Sequence, residues 1–203
     1  MKILTDSNRG IAEAEKILSA GGVVAFPTET VYGLGAISTS DKAVSKVFQV
    51  KNRPKFNPLI IHVENTDMAL ELCSFSKKAF LLAEKFWPGP LTIIAKKKTN
   101  IRVSTLATAG LDTIAVRVPS DRIAQKLIRY VGSPIAAPSA NISGKLSCTT
   151  ADDIKEKLSE RIDGIILGAQ CELGLESTVI DCSSDACSLM RLGSISLEEL
   201  KGF

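Results

Sequence analysis

Apolar residues recur along this chain in two alternating rhythms, one helical and one extended. Residues 10–20 set Ile11, Ala14, Ile17 and Leu18 on one helical stripe, which Gly21 and Gly22 end. The apolar run 23–26, bounded by Gly22 and Pro27, predicts a buried strand. Ser40 or Asp41 then caps a helix with Val44, Val47 and Phe48 inward, and 59–63 is the next strand. A short helix is predicted over 67–72. Ser76 caps a longer one with Ala79, Phe80, Ala83, Phe86 and Trp87 at helical spacing, stopped by Pro88-Gly89-Pro90. Strands follow at 91–95 and 113–118, the second leaving Thr113, Ala115 and Arg117 on one face. Ser120-Asp121 opens a helix with Ile123, Leu127, Ile128 and Val131 as its apolar positions, and 134–137 is a short strand. Thr150 starts a capping-box-like helix running to about Arg161. The last strands fall at 164–167, 177–181 and 189–192, before a short helix from Ser196. Such interleaving predicts an α/β or mixed α+β fold: one domain over 1–203, a largely buried sheet, and ligands at its open face and loop ends.

The polar positions between these elements carry the candidate chemistry. Pro27-Thr28-Glu29-Thr30, then Gly33 and Gly35, mark a turn where the backbone must bend or approach something closely. The segment from Lys51 to Pro58 is cationic, and Pro54 and Pro58 stiffen it. The next strand holds the only histidine, His62. Each residue alone has a plain structural reading as a turn hydroxyl, a solvated charge or a core histidine. Together they read as the wall of an anion-binding site. Arg117, inside an apolar strand, needs a partner, either a structural carboxylate or a ligand anion.

Cations and neutral donors dominate the inventory: Lys51, Arg53, Arg117, Arg191, Asn57, Thr30, Thr113, Ser139, Asn141, Ser147 and Ser177. There is no nucleophile–base–acid ordering, no metal-ligand cluster, no Walker pattern and no Gly-x-Gly-x-x-Gly after the first strand. This suits a reaction whose substrate brings its own nucleophile while the protein aligns groups and neutralises charge, as in transfer at a nucleotide phosphate.

Bulk properties narrow this further. A length of 203 residues suits one domain better than two, and a net charge of +3 means that phosphate affinity must come from a local cluster. The Lys96-Lys97-Lys98 triplet reads as a solvated strand end. No run reaches membrane-helix length, and the N-terminus does not read as a signal peptide. The five cysteines are odd in number, widely spaced and without a Cys-x-x-Cys pair, so no disulfide framework or zinc knuckle is expected. A reducing compartment, the cytoplasm, is the default.

PTETVYGLG at 27–35, KNRP with NPL, IHV, SAN at 139–141, STV at 177–179 and the arginine of MRLG resemble the YrdC-like family across nearly the whole chain. The resemblance implies a twisted mixed sheet flanked by helices, with an open concave ligand-binding face. It implies condensation of L-threonine, bicarbonate and ATP into threonylcarbamoyl-AMP and pyrophosphate, for threonylcarbamoyladenosine modification of tRNA. By matching positions it puts Thr30, His62, Arg117, Ala137 and Ser177 around threonine. It puts Lys51, Arg53, Asn57, Thr113, Ser139, Asn141, Ser147 and Arg191 around ATP, with Lys51 and Arg53 catalytic. Mg2+ would arrive with the nucleotide, and no tightly held metal is implied. Downstream tRNA threonylcarbamoyl-transferase machinery, and RNA by direct contact, would be partners; a membrane would not. Some relatives carry an additional C-terminal domain; the expectation here is a single domain without it, with loop 168–174 covering the site. Two rivals remain at this level. One is a double-stranded RNA-binding module gripping phosphates through Lys51, Arg53 and Lys55. The other is a carbamoyltransferase of hydrogenase maturation, a longer type with zinc-finger cysteines.

Overall fold

Strand pairing brings the separated motifs to one place. In the computed structural model, which describes residues 1–203 except Asp185, the strands are β1 (Lys2–Leu4), β2 (Val24–Phe26), β3 (Gly33–Ile37), β4 (Ile60–His62), β5 (Cys73–Ser74), β6 (Leu91–Lys97), β7 (Thr113–Arg117), β8 (Ile135–Ala136), β9 (Gly164–Ile166), β10 (Thr178–Asp181) and β11 (Ser188–Arg191). The helices are α1 (Asn8–Ser19), α2 (Asp41–Lys51), α3 (Thr66–Leu72), α4 (Lys77–Phe86), α5 (Arg122–Val131), α6 (Ala151–Leu158) and α7 (Leu197–Leu200). The sheet runs β1-β9-β2-β3-β8-β4-β7-β6-β10-β11, with β5 beside β6. It is mixed: β4/β7 and β6/β10 are parallel, whereas β2/β3, β3/β8, β4/β8, β6/β7 and β10/β11 are antiparallel.

Helix starts are set by short polar side chains. Ser7, Ser40, Asn65, Ser76, Asp121, Thr150 and Ser196 each accept a first-turn backbone N–H, a contribution of about 1 kcal/mol apiece. Ser40, not Asp41, is the cap of α2. Thr150 and Asp153 complete a capping box.

Two apolar clusters cover the sheet unequally. One face presents Ile61, Val116, Ile93, Ala95, Ile114 and Ile180, all buried, to the larger cluster, to which α2, α3 and α4 contribute. On the other face α1 and α5 cover one end, where Ile11, Ala14, Leu18, Leu127 and Ile128 pack on Leu4, Val24, Phe26, Ile135 and Ile166. Beyond β8 that face is open: Ile60, Ala115, Ile94 and Val179 are only half-buried although they alternate with fully buried neighbours. Register aligns them, with Ile60 opposite Ala115, Ala115 opposite Ile94, and His62 opposite Arg117.

Three expectations change. Residues 33–37 form a strand where a glycine turn was expected, because a Cβ at Gly35 would lie 2.6 Å from the Phe26 ring and 2.9 Å from Ile135. Phe80 points outward at 48% exposure, and Leu82 takes the inward place with Ala79 and Ala83. Cys182 and Cys187 pair across the β10–β11 connection, whereas Cys73, Cys148 and Cys171 are free and buried. Among the described residues no helix is long and apolar enough to cross a membrane.

Candidate functional site

The turn after β2 holds itself. Thr28 Oγ1 accepts from the backbone N–H groups of Thr30 and Val31 at 3.2 Å and donates to the Val31 carbonyl at 2.6 Å. Its hydroxyl therefore serves the turn, the plain reading for a threonine there. Thr30 Oγ1 lies 2.8 Å from it, fully buried. The chain then enters β3, and the Pro138–Asn141 loop lies alongside: Leu34 N–H donates to Pro138 O, Ala140 N–H to Tyr32 O, and Gly33 bridges Ser139.

Lys51, at the end of α2, fastens that loop from beneath. Its Nζ donates to the carbonyls of Ser139 and Asn141, the latter at 2.7 Å, and to Asn141 Oδ1 at 3.4 Å. Burial, with the Arg53 charge nearby, pulls its pKa down to about 8. All three ammonium hydrogens are thus spent on the loop. Asn141 Nδ2 donates onward to the carbonyls of Ile142 and Lys145.

A hollow opens where the covered and bare halves of the sheet meet, lined by Thr30, His62, Arg117, Ala137, Ser139, Ser177, Glu176 and Arg191 among others. Arg117 is 4% exposed. Its Nε donates to Gly89 O at 3.3 Å and its Nη2 to Glu29 Oε1 at 2.7 Å. These two groups form the side-on edge of the guanidinium. Nη1 and the second Nη2 hydrogen, the end-on fork, have no hydrogen-bond partner among the described residues. His62 packs edge-to-face on Phe26 at 6.2 Å, and burial together with the Arg117 charge lowers its pKa to about 3, so the ring is neutral. Its buried Nδ1 has no hydrogen-bond partner among the described residues.

Arg191 closes the opposite wall. It donates from Nε to Ser177 O at 3.0 Å and from Nη2 to Ser177 Oγ at 3.1 Å, and pairs closely through Nη1 with Glu176 Oε2. Ser177 Oγ also meets Thr92 Oγ1 at 2.7 Å. Burial depresses the Arg191 pKa against the pull of Glu176.

Thr30, His62, Arg117, Ala137, Ser139, Ser177 and Arg191 thus share one hollow. Ser147 reaches it through Glu176, donating to Oε1 at 2.9 Å. Lys51 and Asn141 lie under the loop. Arg53 turns back on its own segment, donating to the carbonyls of Asn57 at 3.1 Å and Pro58 at 2.9 Å, while still within electrostatic reach of Glu176 and Arg191. The Asn57 side chain is exposed. Thr113 starts β7, on the face that Arg117 ends, about 13 Å along the strand. Glu29 and Glu176 were absent from the inventory, which counted only cations and neutral donors. The buried arginine that demanded a counter-charge was the available signal.

The fold and the hollow define an α/β protein whose bare sheet face meets a cationic, hydroxyl-lined pocket suited to anions. The Sua5/YciO/YrdC family model, described as telomere recombination, matches residues 16–193. The chain belongs to this family. It is 44% identical over 199 residues to the threonylcarbamoyl-AMP synthase of Bacillus subtilis, covering 98% of this chain and 57% of that protein. It is 46% identical over 189 residues to the threonylcarbamoyl-AMP synthase of Pyrococcus abyssi, covering 93% and 55%. A crystal structure of P. abyssi Sua5 complexed with L-threonine superposes with a TM-score of 0.95 at 43% identity, over 100% of this chain and 60% of that one. The chain spans little more than half the length of these relatives.

Proposed function

We propose that this chain is an L-threonylcarbamoyladenylate synthase, a nucleotidyltransferase joining L-threonine, bicarbonate and ATP into threonylcarbamoyl-AMP and pyrophosphate. The observation that carries the reading is Arg117, a buried residue whose Nη1 makes no hydrogen bond among the described residues and which lines a hollow shared with neutral His62, Ser177 and Arg191. A relative's complex with L-threonine supports it. The amino acid's carboxylate would take that fork, with Thr30, Ala137 and Ser177 around it. The neutral His62 ring would line the site beside it. The threonine nitrogen adds to the bicarbonate carbon with loss of water and a proton, giving an anionic carbamate. A carbamate oxygen then attacks the α-phosphorus of ATP, and the bond to the β-phosphate oxygen breaks to release pyrophosphate. The nucleophile arrives charged, so this step calls for alignment and charge neutralisation more than for a strong base. Arg191, Ser139, Ser147 and Asn57 would line the nucleotide's path over the half-buried floor of Ile60 and Ala115 towards Thr113. Lys51 would act by holding the Ser139–Asn141 loop, and Arg53 by its charge.

Mg2+ would enter with the nucleotide and offset phosphate charge. Carboxylate and hydroxyl oxygens of Glu176, Ser147 and Ser139 are donors of the hard type it takes. The product would pass in the cytoplasm to tRNA threonylcarbamoyl-transferase machinery. The test is incubation of the purified chain with ATP, Mg2+, bicarbonate and single amino acids. Pyrophosphate and an adenylate with L-threonine are expected; no pyrophosphate with any amino acid would remove the reading.

A further inference from the structure

Glu176 is the side chain on which the predicted phosphate ligands meet. Oε2 pairs with Arg191 Nη1, and Oε1 accepts from Ser147 Oγ at 2.9 Å. Burial raises its pKa, but the Arg191 charge, the nearby Ser139 hydroxyl, the hydrogen bond from Ser147 and the Lys51 charge outweigh that and hold it below the usual carboxylate range. It is an anion at neutral pH, seated among the donors a triphosphate would use. Gly193 packs close against its backbone, where a Cβ would lie only 2.3 Å from the Glu176 carbonyl oxygen and 2.5 Å from Thr178 N. Arg191 holds the neighbouring Ser177 carbonyl as well. A bare triphosphate reaching Arg191, Ser147 and Ser139 meets a negative charge already bound there, and like charges at contact repel unless a cation stands between them.

Resting on the adenylating reading above, we propose that Glu176 is a specificity-determining residue: it makes the site accept a nucleoside triphosphate carrying a divalent cation and reject the metal-free polyanion. The half-exposed carboxylate, with side chains of Glu176 and Arg191 at 35% and 38% exposure, leaves room for such an ion at the edge of the hollow. Among the described residues no three His, Cys, Asp or Glu side chains converge as a metal site; a cation beside Glu176 would take phosphate oxygens as further ligands.

Calorimetry with a non-hydrolysable ATP analogue, in excess Mg2+ or in EDTA, tests this on the wild type, E176Q and E176D. The wild type is expected to bind the Mg2+ complex about tenfold or more tightly than the metal-free analogue. E176Q should bind the metal-free analogue about tenfold more tightly than the wild type does, narrowing that ratio. E176D, which keeps the charge, should keep it. A wild type indifferent to Mg2+, or an E176Q chain with an unchanged ratio, overturns the inference while leaving the adenylating reading standing. Absence of nucleotide binding by the wild type in both conditions sinks both.

Discussion

Glu29 Oε1 lies 2.7 Å from Arg117 Nη2, with the side chains 8% and 4% exposed. A turn residue from one end of the chain and a strand residue from its middle therefore form a buried ion pair beneath the hollow. Of the choice left open for Arg117, structural carboxylate or ligand anion, the first is met by Glu29, which with Gly89 holds the side-on edge of the guanidinium, while the end-on fork has no further partner among the described residues.

This pair sets what alanine at Arg117 does. Losing the guanidinium leaves Glu29 charged and uncompensated, so Arg117→Ala should cost about 3–5 kcal/mol of stability in addition to substrate binding. Glu29→Ala should cost a similar amount, and the double variant less than the sum. Urea unfolding of the four chains measures it. Single variants within about 0.5 kcal/mol of the wild type would contradict the buried pair.

Lys51 is expected to act as a fastening for the Ser139–Asn141 loop. Lys51→Met would leave two loop carbonyls without their donor, at about 2–4 kcal/mol. Hydrogen exchange should report it as lost protection over 139–143, where Ser143 N–H donates to Lys51 O at 2.8 Å. Activity lost with that protection unchanged would instead mean direct contact with substrate.

The helix starts were legible because a capping side chain precedes an apolar stripe, as at Ser76 and Thr150. The bare face was legible too, in the alternation of TIAVRV. β3 was not: GLGAI reads as punctuation until Phe26 and Ile135 are seen occupying the space of the missing Cβ atoms. Nor were Glu29 and Glu176, because a carboxylate in a polar loop looks solvated until its arginine arrives from a distant strand. The Lys51 contacts were hidden for the same reason, since Asn141 lies far along the chain.

His62 sets a pH dependence with a definite sign. Its folded pKa of about 3 lies below the ordinary 6.5, so the unfolded chain binds the extra proton between those values. Stability contributed by the neutral buried ring is full above 6.5 and is lost as pH falls towards 3. Between pH 7.5 and 5.0 the wild type should lose about 2 kcal/mol more than His62→Gln. Lys51, whose window runs from about 8 to 10.5, adds no slope there. Parallel curves for the two chains from urea titrations at both pH values would show that the ring is not buried neutral.

Gly35→Ala tests whether the hollow depends on the packing behind it. The new methyl would lie 2.6 Å from Phe26 Cε1 and 2.9 Å from Ile135 Cγ2, too close for either to remain in place. Phe26 is the ring against which His62 stands edge-on, at an interplanar angle of 89°. Displacement should therefore pass through Phe26 to His62, costing about 1–3 kcal/mol in stability and weakening L-threonine binding without touching any residue that lines the hollow. Gly202→Ala, where nothing lies within 4 Å, is the control and should leave both unchanged. Thermal unfolding and threonine calorimetry on the two variants separate the effects. A Gly35→Ala chain that is destabilised yet binds threonine like the wild type would mean that His62 holds its place independently of Phe26.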